Sequence, residues 1–221
     1  MAEKSEYMEI MTNRGNMYNF LGRLFETEVD KELLEKMAGE SFQGEEDTEE
    51  LASGAGMLKS YVNSPRLDPL TELAADYAKV FLAAGIHSGG AAFPYESVYT
   101  SPERLVMQDA RDEVLAIYRN KGLDVDEAMK VPEDHIAIEL KFMAHLCEES
   151  RSAAEAGDWT AAAASLKEQT DFLEKHLLNW APAFCADIEK YSKTDFYRAV
   201  SKITVAFLRL DLDNLADLSN T

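Results

Sequence analysis

Two short segments of the chain hold the residue types from which chemistry could be built. The first is Phe93-Pro94-Tyr95-Glu96-Ser97-Val98-Tyr99, aromatic rings around one carboxylate on a glycine-flanked stretch. Rings on irregular backbone make a rigid recognition surface, and Glu96 adds an acceptor for Arg or Lys. Phe93 and Tyr99 read as plugs that seat this loop on helices, whereas Tyr95 and Glu96 read as functional. The second segment is Pro132-Glu133-Asp134-His135-Ile136, with Glu139 one turn below. Acids in a first helical turn are stabilised by unpaired N–H groups and the helix dipole, which is reason enough for Glu133 and Asp134. Capping does not explain the adjacent histidine or Glu139. Glu133, Asp134 and Glu139 could together hold a guanidinium through charge-assisted bonds, and the residues alone leave both readings open.

Other motifs fall short of a mechanism. Gly54-Ala55-Gly56-Met57-Leu58-Lys59-Ser60 resembles a phosphate loop on the surface. A Walker motif needs glycine directly before the lysine on a strand-to-helix turn, and here Leu58 takes that place inside a helical pattern. His135 and Glu139 are four apart with His145 further along, but this is not the HExxH arrangement, and a His/Glu pair at that spacing is commonly a surface hydrogen bond. There is no GxSxG elbow. Cys147 and Cys185 lie far apart with no metal or redox spacing, so both are expected to be reduced core thiols. No catalytic apparatus, metal site or cofactor site is visible.

The elements that must position these residues are helices. Apolar residues recur at helical spacing over 4–26, 30–38, 48–63 and 68–83, and strand-like alternation is absent. The acidic stretch 39–50 reads as a loop, and so does 85–99, with its glycines and proline. Ser101-Pro102-Glu103 has the chemistry of a helix start, predicting a helix from there to about Asn120, ended by Gly122. A connector at 122–132 precedes a long helix expected over about 133–156, closed by Gly157. Asp158 caps a helix reaching about Leu178, Pro182 opens another segment, and Thr194 or Asp195 starts the last. The expectation is an all-α chain of about nine or ten helices.

Composition narrows the partners. The 221 residues carry 41 acids against 22 Lys plus Arg, a formal net charge of −19. Such a field repels nucleic acid and anionic lipid and attracts basic partners; solubility alone would also account for it. No apolar run is long enough for a membrane span, and the first residues carry acids where a secretory leader carries bases. A cytoplasmic protein with no stable membrane association is expected.

Three blocks in order, FPYESVYTS at 93–101, VPEDHIAIELKFMAHL at 131–146 and FLEKHLLNWAPAF at 172–184, make the chain resemble the TorD/DmsD-type chaperones of molybdenum enzymes, a family that includes nitrate reductase assembly proteins. The resemblance implies an all-α TorD-like domain with an N-terminal lobe of about 1–121, a hinge at about 122–132 and a C-terminal lobe of about 133–221. It implies binding of the twin-arginine leader, or another segment, of a molybdopterin oxidoreductase precursor, held until its cofactor is inserted and export can follow. Pro132, Asp134 and His135 match the signature implicated in leader binding. Pro94, Tyr95, Glu96, Ser97 and Tyr99 fall in the loop lining the same groove, with Glu133 and Glu139 beside it. His176, Trp180 and Phe184 match the third block, where core packing accounts for them. In this picture Asp134 and Glu96 face the basic end of the leader while its apolar part docks near 93–99. Domain-swapped dimers occur in the family, and the 122–132 connector would be the hinge. Two alternatives remain: an assembly factor acting on a leaderless catalytic subunit, and a weak GTPase on the same fold.

Overall fold

A computed structural model describes residues 2–39, 48–84, 90–123 and 131–219. The described residues form ten α-helices: α1 Ala2–Glu26, α2 Lys31–Gly39, α3 Glu49–Asn63, α4 Pro69–Phe81, α5 Glu96–Thr100, α6 Asp109–Asn120, α7 Ile136–Ala156, α8 Trp159–Phe172, α9 Leu178–Tyr191 and α10 Asp195–Ser219. A π turn, Leu173–Leu177, joins α8 to α9. Among the described residues the sole β pairing is an isolated antiparallel bridge between Tyr95 and His135, so the all-α expectation holds.

Local chemistry accounts for most helix ends. Thr48 caps α3 by accepting the Leu51 N–H, Asp68 caps α4 through Thr71, and Asp158 caps α8 through Ala161. Gly157 closes α7 in the left-handed conformation at φ 83°, which a residue without Cβ adopts freely. Five boundaries differ from expectation. The helix that Asp158 caps ends at Phe172 and not near Leu178, because the backbone passes there into the π turn. A short helix, α5, occupies the end of the predicted loop. Ser101 does not start α6 but terminates α5, its N–H bonded to the Ser97 carbonyl; left-handed backbone at Arg104 and Met107 then delays α6 until Asp109. The long helix α7 begins at Ile136, with His135 as its N-cap. Pro182 does not open α9 but lies inside it.

Contacts divide the chain into two compact units that are interleaved in sequence. One comprises Met1–Arg23, Tyr95–Trp180 and Asp211–Thr221, the other Leu24–Pro94 and Ala181–Leu210. The connector at 122–132 therefore does not separate them, since residues on both of its sides belong to the first unit. Residues 124–130 of that connector lie outside the described residues, as do 40–47 and 85–89 of the two expected loops.

In the first unit the α7–α8 hairpin forms the centre. Leu140, Met143, Leu146 and Cys147 of α7 and Phe172 of α8 are buried. Polar ties cross the seam: the Ser165 hydroxyl and the Gln169 amide both donate to the Leu146 carbonyl, at 3.0 and 3.2 Å. Deep in the same unit, Arg14 and the Tyr18 hydroxyl share the Asp211 carboxylate, with Arg14 Nη2 at 2.9 Å. All three are buried, and the two-pronged guanidinium contact satisfies both carboxylate oxygens.

The second unit packs an aromatic core. Phe81 meets Phe25 and Tyr197 edge-on at 5.9 and 5.3 Å between centroids, and Phe25 meets Phe184 at 5.5 Å. Buried Asp76 organises the entry to α10, accepting from Ser192 Oγ at 2.7 Å and from Thr194 N and Oγ1 at 2.8 and 2.7 Å. The Gly54 segment that resembled a phosphate loop is interior to α3. A Cβ on Gly54 would stand 2.8 Å from Ile203 Cγ1, so this glycine serves close helix packing against α10.

Candidate functional site

The chemistry-bearing segments converge in the first unit. The Tyr95–His135 bridge aligns the two blocks, and the Glu96 N–H donates to the Asp134 carbonyl at 3.0 Å. The next amide, Ser97 N–H, donates to Asp134 Oδ2 at 2.9 Å. Asp134 thus satisfies two of the free N–H groups that open α5, whose own N-cap residue, Tyr95, offers no side-chain acceptor. Capping its own helix was one of the two roles open to Asp134 from sequence; in fact it caps another helix. The α7 N-cap is His135, whose Nδ1 accepts from Ala137 N–H at 3.1 Å. The Tyr95 ring stands edge-on to the His135 ring at 5.2 Å.

Beneath this junction lies a buried polar cluster. Glu96 is 2% exposed, and Asp134 and Glu139 are fully enclosed. Glu96 Oε2 is 3.0 Å from His176 Nδ1, and Glu139 Oε2 accepts from the Trp180 indole N–H at 3.0 Å. Burial drives the Glu139 carboxyl well above the usual carboxylate range; the charges of Glu96 and Asp134 add to this, while the Trp180 N–H opposes it. Burial, then Lys141, pulls His135 down to about 4, so its imidazole is neutral and free to accept at Nδ1. Burial and then the nearby Glu139 and Glu96 charges hold the Tyr118 phenol well above its usual value. Among the described residues, Asp134 Oδ1, Glu139 Oε1 and the Tyr118 hydroxyl are buried without a hydrogen-bond partner.

These positions change the picture drawn from sequence. Glu96 and Asp134, expected to face a basic partner, are enclosed, as are Ser97, His135 and Glu139. Pro94 is also buried. Half-buried at the edge stand Tyr95, Tyr99, Pro132 and Glu133. Glu133 is held by Arg111 through a two-pronged pair, with Nη2 to Oε1 at 2.9 Å, and so does not join Asp134 and Glu139 in one acidic cradle. Tyr99 stacks on Trp180 at 5.7 Å.

Sequence reasoning assigned His176 and Trp180 to apolar packing and did not single out Arg111 or Tyr118. His176 and Trp180 are core residues, but their polar atoms are the partners of the buried acids. The usable signal was a histidine and an indole in an apolar block, set against a glutamate on the inward face of another helix. His176 sits on the π turn, a rare element frequent at functional sites. It borders a cavity of about 480 Å³ with Phe142 and Phe172 among its walls and Lys121, Glu168, Asp171 and Lys175 also lining it. Elsewhere, His145 pairs with Glu149 at 3.4 Å. Cys147 and Cys185 are buried free thiols, with burial pushing the Cys147 thiol up to about 12. Among the described residues no group of three His, Cys, Asp or Glu is placed to hold a metal ion, and no helix is long and apolar enough to cross a membrane.

Comparison with known proteins identifies the family. The nitrate reductase delta subunit family matches residues 45–186, a range that contains every residue of the site described above. "Chaperone protein TorD" of Vibrio cholerae (Classical Ogawa 395) is 30% identical over 213 residues, covering 93% of each chain. The protein of that name from Vibrio parahaemolyticus is 28% identical over 204 residues, 90% of this chain and 92% of the relative. That from Shewanella pealeana is 27% identical over 214 residues, covering 90% and 88%. The chain accordingly belongs to the nitrate reductase delta subunit family, and its curated relatives are TorD-type chaperones.

Proposed function

We propose that this protein is a cytoplasmic maturation chaperone, not an enzyme, that binds the basic leader of a molybdenum oxidoreductase precursor until cofactor insertion and export. The observation that carries this reading is the lock of Asp134 onto the first amides of α5, which joins the two family blocks into one surface. Around that lock, Tyr95, Tyr99, Pro132 and Glu133 are the proposed peptide contacts. Glu96, Ser97, Asp134, His135 and Glu139 are positioning residues that fix the backbone of this edge from within. Attraction of the basic end falls to the field of a chain carrying −19, which speeds encounter with cations and weakens as salt rises.

The test is a tagged pull-down from anaerobically grown source cells, with captured proteins identified by mass spectrometry. Recovery of a molybdoenzyme precursor with its leader intact is the expected result, and recovery of no redox enzyme would sink the reading. A second reading is favoured by the name of the matching family, nitrate reductase delta subunit: an assembly factor working on a catalytic subunit without a leader. Capture of such a subunit would select it.

A further inference from the structure

The segment between α5 and α6 presents three consecutive apolar side chains to solvent. Leu105, Val106 and Met107 are 56%, 43% and 54% exposed. Isolated surface apolar residues need no explanation, but an exposed run of three is anomalous unless it has a use. The backbone adds weight. Arg104 and Met107 have φ of 53° and 62°, a left-handed conformation costly for side chains of this size. Other contacts hold the loop in this shape. Arg104 N–H donates to the Ser101 carbonyl at 3.2 Å, Gln108 N–H donates to Ser97 Oγ at 3.1 Å, and the Gln108 amide donates to the Val106 carbonyl at 3.0 Å. The Arg104 guanidinium lies over the Tyr99 ring at 5.6 Å. Both Ser97 and Tyr99 belong to the helix that Asp134 caps.

We infer that Leu105, Val106 and Met107 are the docking surface for the apolar stretch of the leader, an inference resting on the leader-binding reading above. Charge complementarity selects this occupant. Exposed Glu103 precedes the apolar run and exposed Asp109 and Glu113 follow it, while Asp112 is paired with Arg111 and the Arg104 guanidinium lies over the Tyr99 ring. An apolar centre between acids fits a segment that is apolar along its length and basic at its end. Methionine suits the task, because its flexible thioether adapts to side chains of differing shape. The inference also gives the buried signature a purpose: Asp134 fixes α5, α5 fixes Gln108 and Arg104, and these hold the apolar triplet outward.

The experiment uses the full chain and a synthetic peptide of two adjacent arginines followed by a leucine-rich stretch. Cys147 and Cys185 are buried, so Val106→Cys accepts an environment-sensitive fluorophore selectively. Peptide addition should shift its emission, and the same peptide with serine for leucine should not. The Leu105→Ser/Val106→Ser/Met107→Ser variant should bind about tenfold more weakly or worse, with an unchanged melting temperature. Binding of the wild type together with an affinity within about twofold in the triple variant overturns the inference and leaves the chaperone reading standing. Failure of the wild type to bind this peptide overturns the inference, and failure to capture any precursor as well overturns both. If the triple variant changes only the oligomeric state, with peptide affinity intact, the patch joins copies of this chain and the inference also falls.

Discussion

Removal of the Asp134 carboxylate tests the central lock directly. In Asp134→Ala the Ser97 amide, on a fully buried residue, loses its acceptor. A buried donor left unsatisfied costs about 1–3 kcal/mol, and loss of an N-terminal cap falls in a similar range. One effect opposes this. Asp134 also raises the Glu139 carboxyl, so its removal relieves some like-charge repulsion in the cluster. The net expectation is a loss of about 2 kcal/mol, concentrated in the opening of α5. Native-state hydrogen exchange is the suitable assay, because α5 has five residues and its opening need not register in a global melt. The Ser97 amide should exchange about thirtyfold faster than in the wild type. Asp134→Asn keeps an acceptor oxygen and should lose less than about 1 kcal/mol. Because the carboxylate is enclosed, Asp134→Asn should also leave the salt dependence of leader binding unchanged. Ser97 exchange within about twofold of wild type in Asp134→Ala would refute the account of the lock.

Two further outcomes follow from the geometry. The folded protein holds the His135 imidazole near 4 against an ordinary value of 6.5, so below 6.5 the unfolded chain binds more protons than the folded one. Stability from this group is full above pH 6.5 and is lost as pH falls towards 4, amounting to about 2 kcal/mol by pH 5. Glu139, raised by burial, works in the opposite sense, which is why the measurement must be a difference. His135→Asn keeps a capping acceptor and should flatten the acid limb in urea titrations at pH 7 and 5; an unchanged limb would refute the assignment. Separately, Gly54→Ala should destabilise by about 1–3 kcal/mol because its Cβ would meet Ile203 Cγ1 at 2.8 Å and the Ile203 amide at 3.1 Å. Gly56→Ala, with nothing within 4 Å, should stabilise by about 0.5–1 kcal/mol through helix propensity. Equal thermal shifts in the two variants would show that Gly54 is not a packing residue.

The sequence by itself determined the elements whose causes are local. Apolar periodicity marked α1 to α4, and Asp158 and Gly157 announced their caps because a cap bonds a residue only three or four positions away. The same local logic rejected a phosphate loop at Lys59, and the structure places that lysine inside α3. Leu58 before the lysine was visible without any coordinates.

Tertiary structure decided the site. Asp134 reads as a cap for the helix it precedes, yet it caps a helix 37 residues earlier. Glu139 and Trp180 meet across 41 positions, and Glu96 and His176 across 80. Nothing in the flanking residues specifies those partners, since they are set by which helix faces pack together. The start of α6 failed for a related reason: Ser101 and Pro102 have start chemistry, but Ser97 and Tyr99 tie the following loop into left-handed turns. Composition showed that the chain is acidic. Only packing divided its carboxylates into those that water screens and those, such as Glu139, whose charge the interior suppresses, because the energy of a charge depends on its surroundings more than on its neighbours in sequence.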